Sequence, residues 1–268
     1  MGTSAARPQW PALIAGVAIG LCTALLAPAT ASAPKAPAKE AAKAAAPAEA
    51  EPPSVEEVMD SLKAGNDRFV HGVRRNIDFA AARAATSGSQ HPWATVLSCA
   101  DSRVPPEHIF DAGIGELFVV RAAGEVAEPV TTGSVEYAAE HLHTPVIVVM
   151  GHESCGAVKA ALGKDDLGPN LNTLLGYIRP ALGGVTDLSA AVRINVHQQI
   201  EALMDSVILS HMLENKEVTV MGAVYDLDTG AVDWLLPSGT RVRPAKPMRP
   251  SKPHKTKAGG GHEGGGHH

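Results

Sequence analysis

The spacing of apolar residues changes character several times along the chain. From Ser54 onward, Val55, Val58, Met59, Leu62, Phe69 and Val70 recur near helical spacing, and Ser54 with Glu57 three residues on reads as a capping box. Ala94–Ser98 and Glu116–Val120 are short apolar runs, as expected of strands. Pro145–Met150 (PVIVVM) has no polar face, which is the pattern of a strand buried on both sides. Thr132–His141, with Val135, Ala138, Ala139 and the following Leu142 on one side, predicts a helix. Asp187–Leu213 carries Leu188, Val192, Val196, Ile200, Leu203 and Val207 at threes and fours, with Leu213 six further on, and predicts one long helix whose apolar face, Leu203 and Met204 included, is core. Val218–Tyr225 and Ala231–Leu235 predict two further strands, with Tyr225–Gly230 as the hairpin turn between them. Strands alternating with helices imply an α/β fold: a mostly parallel central sheet with flanking helices and a C-terminal antiparallel hairpin. Ligands of such sheets sit beyond the carboxyl ends of the strands. Cys99 and His152 both follow strand candidates at that end.

The ends of the chain follow other rules. Arg7, the apolar run 12–27 and Ala31-Ser32-Ala33 match a Sec-type signal peptide over residues 1–33, cleaved before Pro34, so a periplasmic or secreted protein is expected, with no stable membrane insertion after cleavage. Residues 34–53, rich in Ala and Pro, read as a semi-rigid linker. The folding unit is then 54–243, followed by a basic, Gly/His-rich tail over 244–268 that has too little apolar surface to fold. Charge divides the same way. Residues 54–240 hold 12 Lys/Arg against 24 Asp/Glu, a net of −12, whereas 241–268 hold 7 against one, a net of +6. The overall −5 gives no reason to expect nucleic acid as a partner. His254, His262, His267 and His268 offer metal capture by the tail, but their Gly spacing fixes no geometry and a solvated tail is the simpler reading.

With Cys22 removed alongside the signal, two of the three Cys remain, and in an exported protein the bland expectation for two Cys is a disulfide. Their surroundings point elsewhere. Cys99, Asp101 and Arg103 alternate, so on an extended chain they face one way. His152 and Cys155 are three apart on a turn from strand into helix, which brings both side chains to one point. Two thiolates and an imidazole suit Zn²⁺, and three protein ligands leave one position open, as in a catalytic site.

CADSRVPPE (Cys99–Glu107) with GHESCGAV (Gly151–Val158) resembles the β-class carbonic anhydrases, as do Leu62–Phe69, Phe118–Arg121 and Glu136-Tyr137. The resemblance implies one Zn²⁺ per chain on Cys99, His152 and Cys155, and reversible hydration of CO₂ to bicarbonate and a proton by zinc-bound hydroxide. It implies a dyad in which Asp101 accepts from the zinc-bound water and Arg103 holds Asp101 ionised. In a closed state of the family, the Asp101 position binds zinc directly. Gln90, Phe118, Ala123, Tyr137 and Gly156 would line a plant-like pocket shared across a homodimer or higher even oligomer. His108 and buffer are both open as proton shuttles. Val96 stands where one subgroup has the Trp of a regulatory bicarbonate site, so no such site and an open zinc at neutral pH are expected. The family often has Arg-Asn-x-x-Asn where this chain has Arg121-Ala122-Ala123-Gly124-Glu125, which unsettles the hydrogen bonding expected around Arg121. Hydrolysis of carbonyl sulfide or carbon disulfide on the same scaffold, and a non-enzymatic zinc-binding protein, are the alternatives.

Overall fold

A computed structural model of the chain describes residues 52–235. The expected signal peptide, most of the linker, the last residues of the predicted folding unit and the tail lie outside the described residues.

Five strands form one sheet: β1 (Ala94–Ser98), β2 (Leu117–Arg121), β3 (Val146–His152), β4 (Thr219–Tyr225) and β5 (Val232–Leu235), in the order β2-β1-β3-β4-β5. All neighbours are parallel except β4 and β5. Side chains alternate between the two faces, as a period of two requires. Ile147 and Val149 of β3 enter one apolar layer, Val146, Val148 and Met150 the other. Burying each such Val or Ile is worth about 1.5–3 kcal/mol. The burial on both faces explains why Pro145–Met150 lacks a polar side.

One face is covered by α4 (Pro129–Leu142), α5 (Gly156–Leu162), α7 (Leu188–Met204) and α8 (Val207–Glu214), and α6 (Pro169–Gly176) joins them through Leu175. The other face is covered by α1 (Val55–Val70) and α3 (Pro106–Ile109), while α2 (Phe79–Thr86) buries no residue. The predicted capping box starts α1: the Ser54 hydroxyl accepts from the Glu57 amide at 3.3 Å and the Glu57 carboxylate accepts from the Ser54 amide at 2.9 Å. Within α1, Gly65 passes so close to α3 that a Cβ would strike the Phe110 carbonyl oxygen. Next to it, buried Asn66 donates to Ile109 O (3.3 Å) and Gly230 O (2.9 Å) and accepts from Val232 N (2.9 Å). This pair bolts α1 to α3 and to the β4–β5 hairpin.

The predicted single helix over 187–213 is two helices. The break falls at Asp205-Ser206, where Ser206 takes an extended backbone (φ −68°, ψ 126°) and caps α8 by accepting from Leu209 N at 3.2 Å. The Ser206 hydroxyl also donates to Glu136 of α4 at 2.6 Å, so a tertiary contact favours the break. The helix predicted over Thr132–His141 begins earlier, at Pro129, because Glu128 caps it with Thr131 as partner. β2 sits one residue later than the apolar run 116–120 and is less buried than β1, as suits an edge strand.

Candidate metal centre

The carboxyl ends of β1 and β3, adjacent in the sheet, deliver the chemistry. Cys99 follows β1, His152 ends β3, and Cys155 is the cap residue of α5. All three are buried, and one ligand atom from each lies within 4.8 Å of the other two. The His152 Nδ1 is 2.8 Å from the Glu153 carbonyl oxygen, which can only accept, so Nδ1 carries the proton and Nε2 presents its lone pair to the cluster. That Nε2 is buried with no hydrogen-bond partner. A buried, unpartnered imidazole nitrogen on a residue grouped with two thiols suits a cation, and two thiolates with one imidazole suit zinc. Cys99 and Cys155 are both free thiols. The hydrogen bond with Cys155 and that from the Gly124 amide pull the Cys99 thiol down, against burial, while the same contact with Cys99, and then burial, pushes Cys155 up. Both sulfurs bind metal as thiolates, so a bound dication would drive deprotonation of Cys155 against this upward push.

Asp101 and Arg103 lie beside the cluster. Arg103 Nε donates to Asp101 Oδ1 at 2.9 Å, its terminal NH2 group donates to Oδ2 at 2.7 Å, and its backbone amide donates to Oδ1 at 2.9 Å. These hydrogen bonds from Arg103 hold the Asp101 carboxyl well below the usual carboxylate range, against the opposing effect of burial. Asp101 Oδ2 stands 3.8 Å from His152 Nε2. The hydrogen bonding in doubt around Arg121 is intact: Arg121 donates to the carbonyls of Cys99 (3.0 Å) and Asp101 (2.6 Å), pinning the turn that carries both.

Among the expected pocket residues, Phe118 and Tyr137 face each other with ring centroids 6.2 Å apart, Phe118 half-buried and Tyr137 exposed. Ala123 is half-buried and opens the turn after β2. Gly156 is the first residue of α5, and a Cβ there would meet nothing within 4 Å, so packing does not demand Gly. Gln90 is not brought to the cluster: it is exposed and precedes β1, whereas Cys99 follows that strand. His108 Nδ1 accepts from the Arg74 guanidinium at 2.9 Å.

Four residues near the site carry no expected role. Gly124 donates its amide to Cys99 Sγ at 3.3 Å. Glu125 is completely buried, and burial pushes its carboxyl up to about 8. Asn195 and Gln199 reach it or its turn from α7. Two polar residues four apart on a stripe otherwise built of Val192, Val196, Ile200 and Leu203 were the available signal, since polar side chains on a buried face need partners.

The family model for carbonic anhydrase matches residues 94–232. Carbonic anhydrase 2 of Mycobacterium tuberculosis is 38% identical over 188 residues, which span 63% of this chain and 87% of that protein. The carbonic anhydrase of Mycolicibacterium smegmatis is 43% identical over 134 residues, 47% of this chain and 60% of that protein. Among solved structures, a Coccomyxa β-carbonic anhydrase in complex with acetazolamide has a TM-score of 0.55 at 26% identity, covering 68% of this chain and 86% of that one. One of two tetrameric β-carbonic anhydrases from Sordaria macrospora has a TM-score of 0.54 at 26% identity, covering 67% of this chain and 95% of that one. A mostly parallel sheet carrying a buried Cys-His-Cys cluster beside an Asp-Arg pair is the framework of a zinc enzyme. This chain belongs to the β-class carbonic anhydrase family.

Proposed function

We propose that the chain catalyses the reversible hydration of CO₂ to bicarbonate and a proton. The observation that carries this reading is the convergence of Cys99, His152 and Cys155, with an orphaned His152 Nε2, next to an ionised Asp101. Zinc held by those three residues supplies Lewis-acid activation of water at neutral pH. Two thiolates donate more charge than imidazoles would, so positioning must contribute more. Asp101 does this by accepting a hydrogen bond from the attacking water, which turns a lone pair toward the carbon. Arg103 keeps Asp101 ionised and in one orientation through its paired hydrogen bonds. Phe118, Ala123 and Tyr137 offer CO₂ an apolar wall, and Gly156 leaves room for close approach. The test is zinc analysis and stopped-flow CO₂ hydration of the mature chain beside Cys155→Ser. About one zinc per chain and loss of activity in the variant are expected; equal rates would overturn the reading.

The plant-like pocket, the export route and the assembly belong to the same proposal. Gln90 serves the site of a second copy in a homodimer or higher even oligomer, which suits its distance from its own cluster. The exposed Tyr137 and Val130 on α4 support a covered face there. Residues 1–33 act as the signal peptide, 34–53 as linker, 54–243 as the enzyme and 244–268 as the tail of a periplasmic or secreted protein. No helix among the described residues is long and apolar enough to cross a membrane. Mass spectrometry of the exported chain should find Pro34 at its start.

A further inference from the structure

We infer that Glu125, acting through Asn195 and Gln199, is a positioning residue for the metal ligand Cys99; the inference rests on the zinc site proposed above. The turn after β2 places two consecutive residues in the left-handed region, Gly124 at φ +71° and Glu125 at φ +45°. Gly is at ease there and Glu is not, so the neighbours must impose the conformation on Glu125. They do so from α7. Asn195 Nδ2 donates to Glu125 Oε1 at 2.7 Å and to the Gly124 carbonyl at 2.9 Å, spanning both left-handed residues with one amide. Gln199 Nε2 donates to Asn195 Oδ1 at 2.9 Å, which orients that amide, and Gln199 Oε1 accepts from Ala127 N at 2.9 Å, which ties down the end of the turn.

The product of this network is one contact, the Gly124 amide donated to Cys99 Sγ at 3.3 Å. The carboxyl also lies against β3. A Cβ on Gly151, the residue before His152, would sit 3.1 Å from Glu125 Oε1. Glu125 therefore packs between the turn that supports one expected ligand and the strand that ends in another. Glu accepts a strained backbone and a buried Oε2 with no hydrogen-bond partner. In return it supplies an acceptor that reaches α7.

Outer-shell partners of metal ligands typically contribute about 10–100-fold to metal affinity. The test uses the full-length, zinc-loaded protein and follows transfer of zinc to a colorimetric chelator. Glu125→Gln keeps the oxygen that accepts from Asn195 and should release zinc within about twofold of wild type. Glu125→Ala should release it about tenfold faster or more, Asn195→Ala likewise, and the double variant no faster than either alone, because all three break one network. A purely structural role would lower the melting temperature yet leave zinc release from the folded chain unchanged, and that result would overturn the inference. If Glu125→Ala does not fold, Glu125→Asp replaces it. One methylene shorter, it should release zinc faster than Glu125→Gln, and equal rates for Asp, Gln and wild type would overturn the inference as well. A wild-type chain that takes up no zinc defeats the metal site and this inference together, whereas loaded wild type with unaffected variants defeats the inference alone.

Discussion

At the scale of single residues, the site divides into groups that hold and groups that orient. Asp101→Asn keeps the size of the side chain and removes the charge that accepts from water. We expect kcat/KM for CO₂ hydration to fall about 100-fold or more with zinc content unchanged, measured by stopped flow and metal analysis. Loss of zinc along with activity would instead make Asp101 a holding group. Glu125 gives a second prediction. Its carboxyl is pushed up to about 8 by burial, against an ordinary 4.5. A folded pKa above the unfolded one means the native chain binds the proton more tightly. The stability this adds is complete below about 4.5 and is lost as pH rises through about 8. Urea midpoints of the metal-free chain should therefore fall across that window, and Glu125→Gln should flatten this part of the profile. The Cys99, His152 and Cys155 cluster was legible in the sequence because Cys is scarce, with three in the chain, and because the spacing of His152 and Cys155 names a local geometry. Glu125 was visible only as a departure from a pattern. Its partner on α7 lies 70 residues away, and no local rule connects them.

At the scale of elements, strands were easier to read than helix boundaries. β3 is buried on both faces, so its composition alone marked it. The division between α7 and α8 depends on Ser206 finding Glu136 across the fold, and an apolar stripe that continues in register through the break concealed it. Ser206→Ala removes the cap and that contact. A loss of about 1 kcal/mol is expected in urea unfolding, with little change in zinc binding. A larger element-level effect belongs to Gly65. Its neighbour across the helix contact is the backbone oxygen of Phe110, which cannot swing aside as a side chain can. Gly65→Ala must push α1 off α3 and strain the three hydrogen bonds of Asn66. A loss of about 3 kcal/mol or more is expected, read as a fall in the urea midpoint or in soluble yield. A midpoint equal to wild type would mean that α1 is not held where the fold places it.

At the scale of the whole molecule, the end of the sheet that each residue occupies decides which site it can reach. Cys99, His152 and Cys155 stand at the carboxyl ends of β1 and β3, and Gln90 stands before the first residue of β1. A five-residue strand spans roughly 15 Å, longer than any side chain reaches. If Gln90 binds substrate, it binds in the site of another chain, and the exposed aromatic and aliphatic residues of α4 belong under that partner. A mixing experiment separates this from a role for Gln90 within its own chain. Cys155→Ser chains lack a metal ligand, and Gln90→Ala chains lack the substrate contact. In a dimer of either variant alone, both sites would be impaired. In a mixed dimer, the Gln90→Ala chain keeps its own zinc ligands and receives an intact Gln90 from its partner, so one site is complete. Mixing and re-equilibrating the two variants should therefore raise CO₂ hydration above the sum of the separate proteins. An additive result with subunit exchange verified by native mass spectrometry would return Gln90 to its own chain and remove the reason for the shared site.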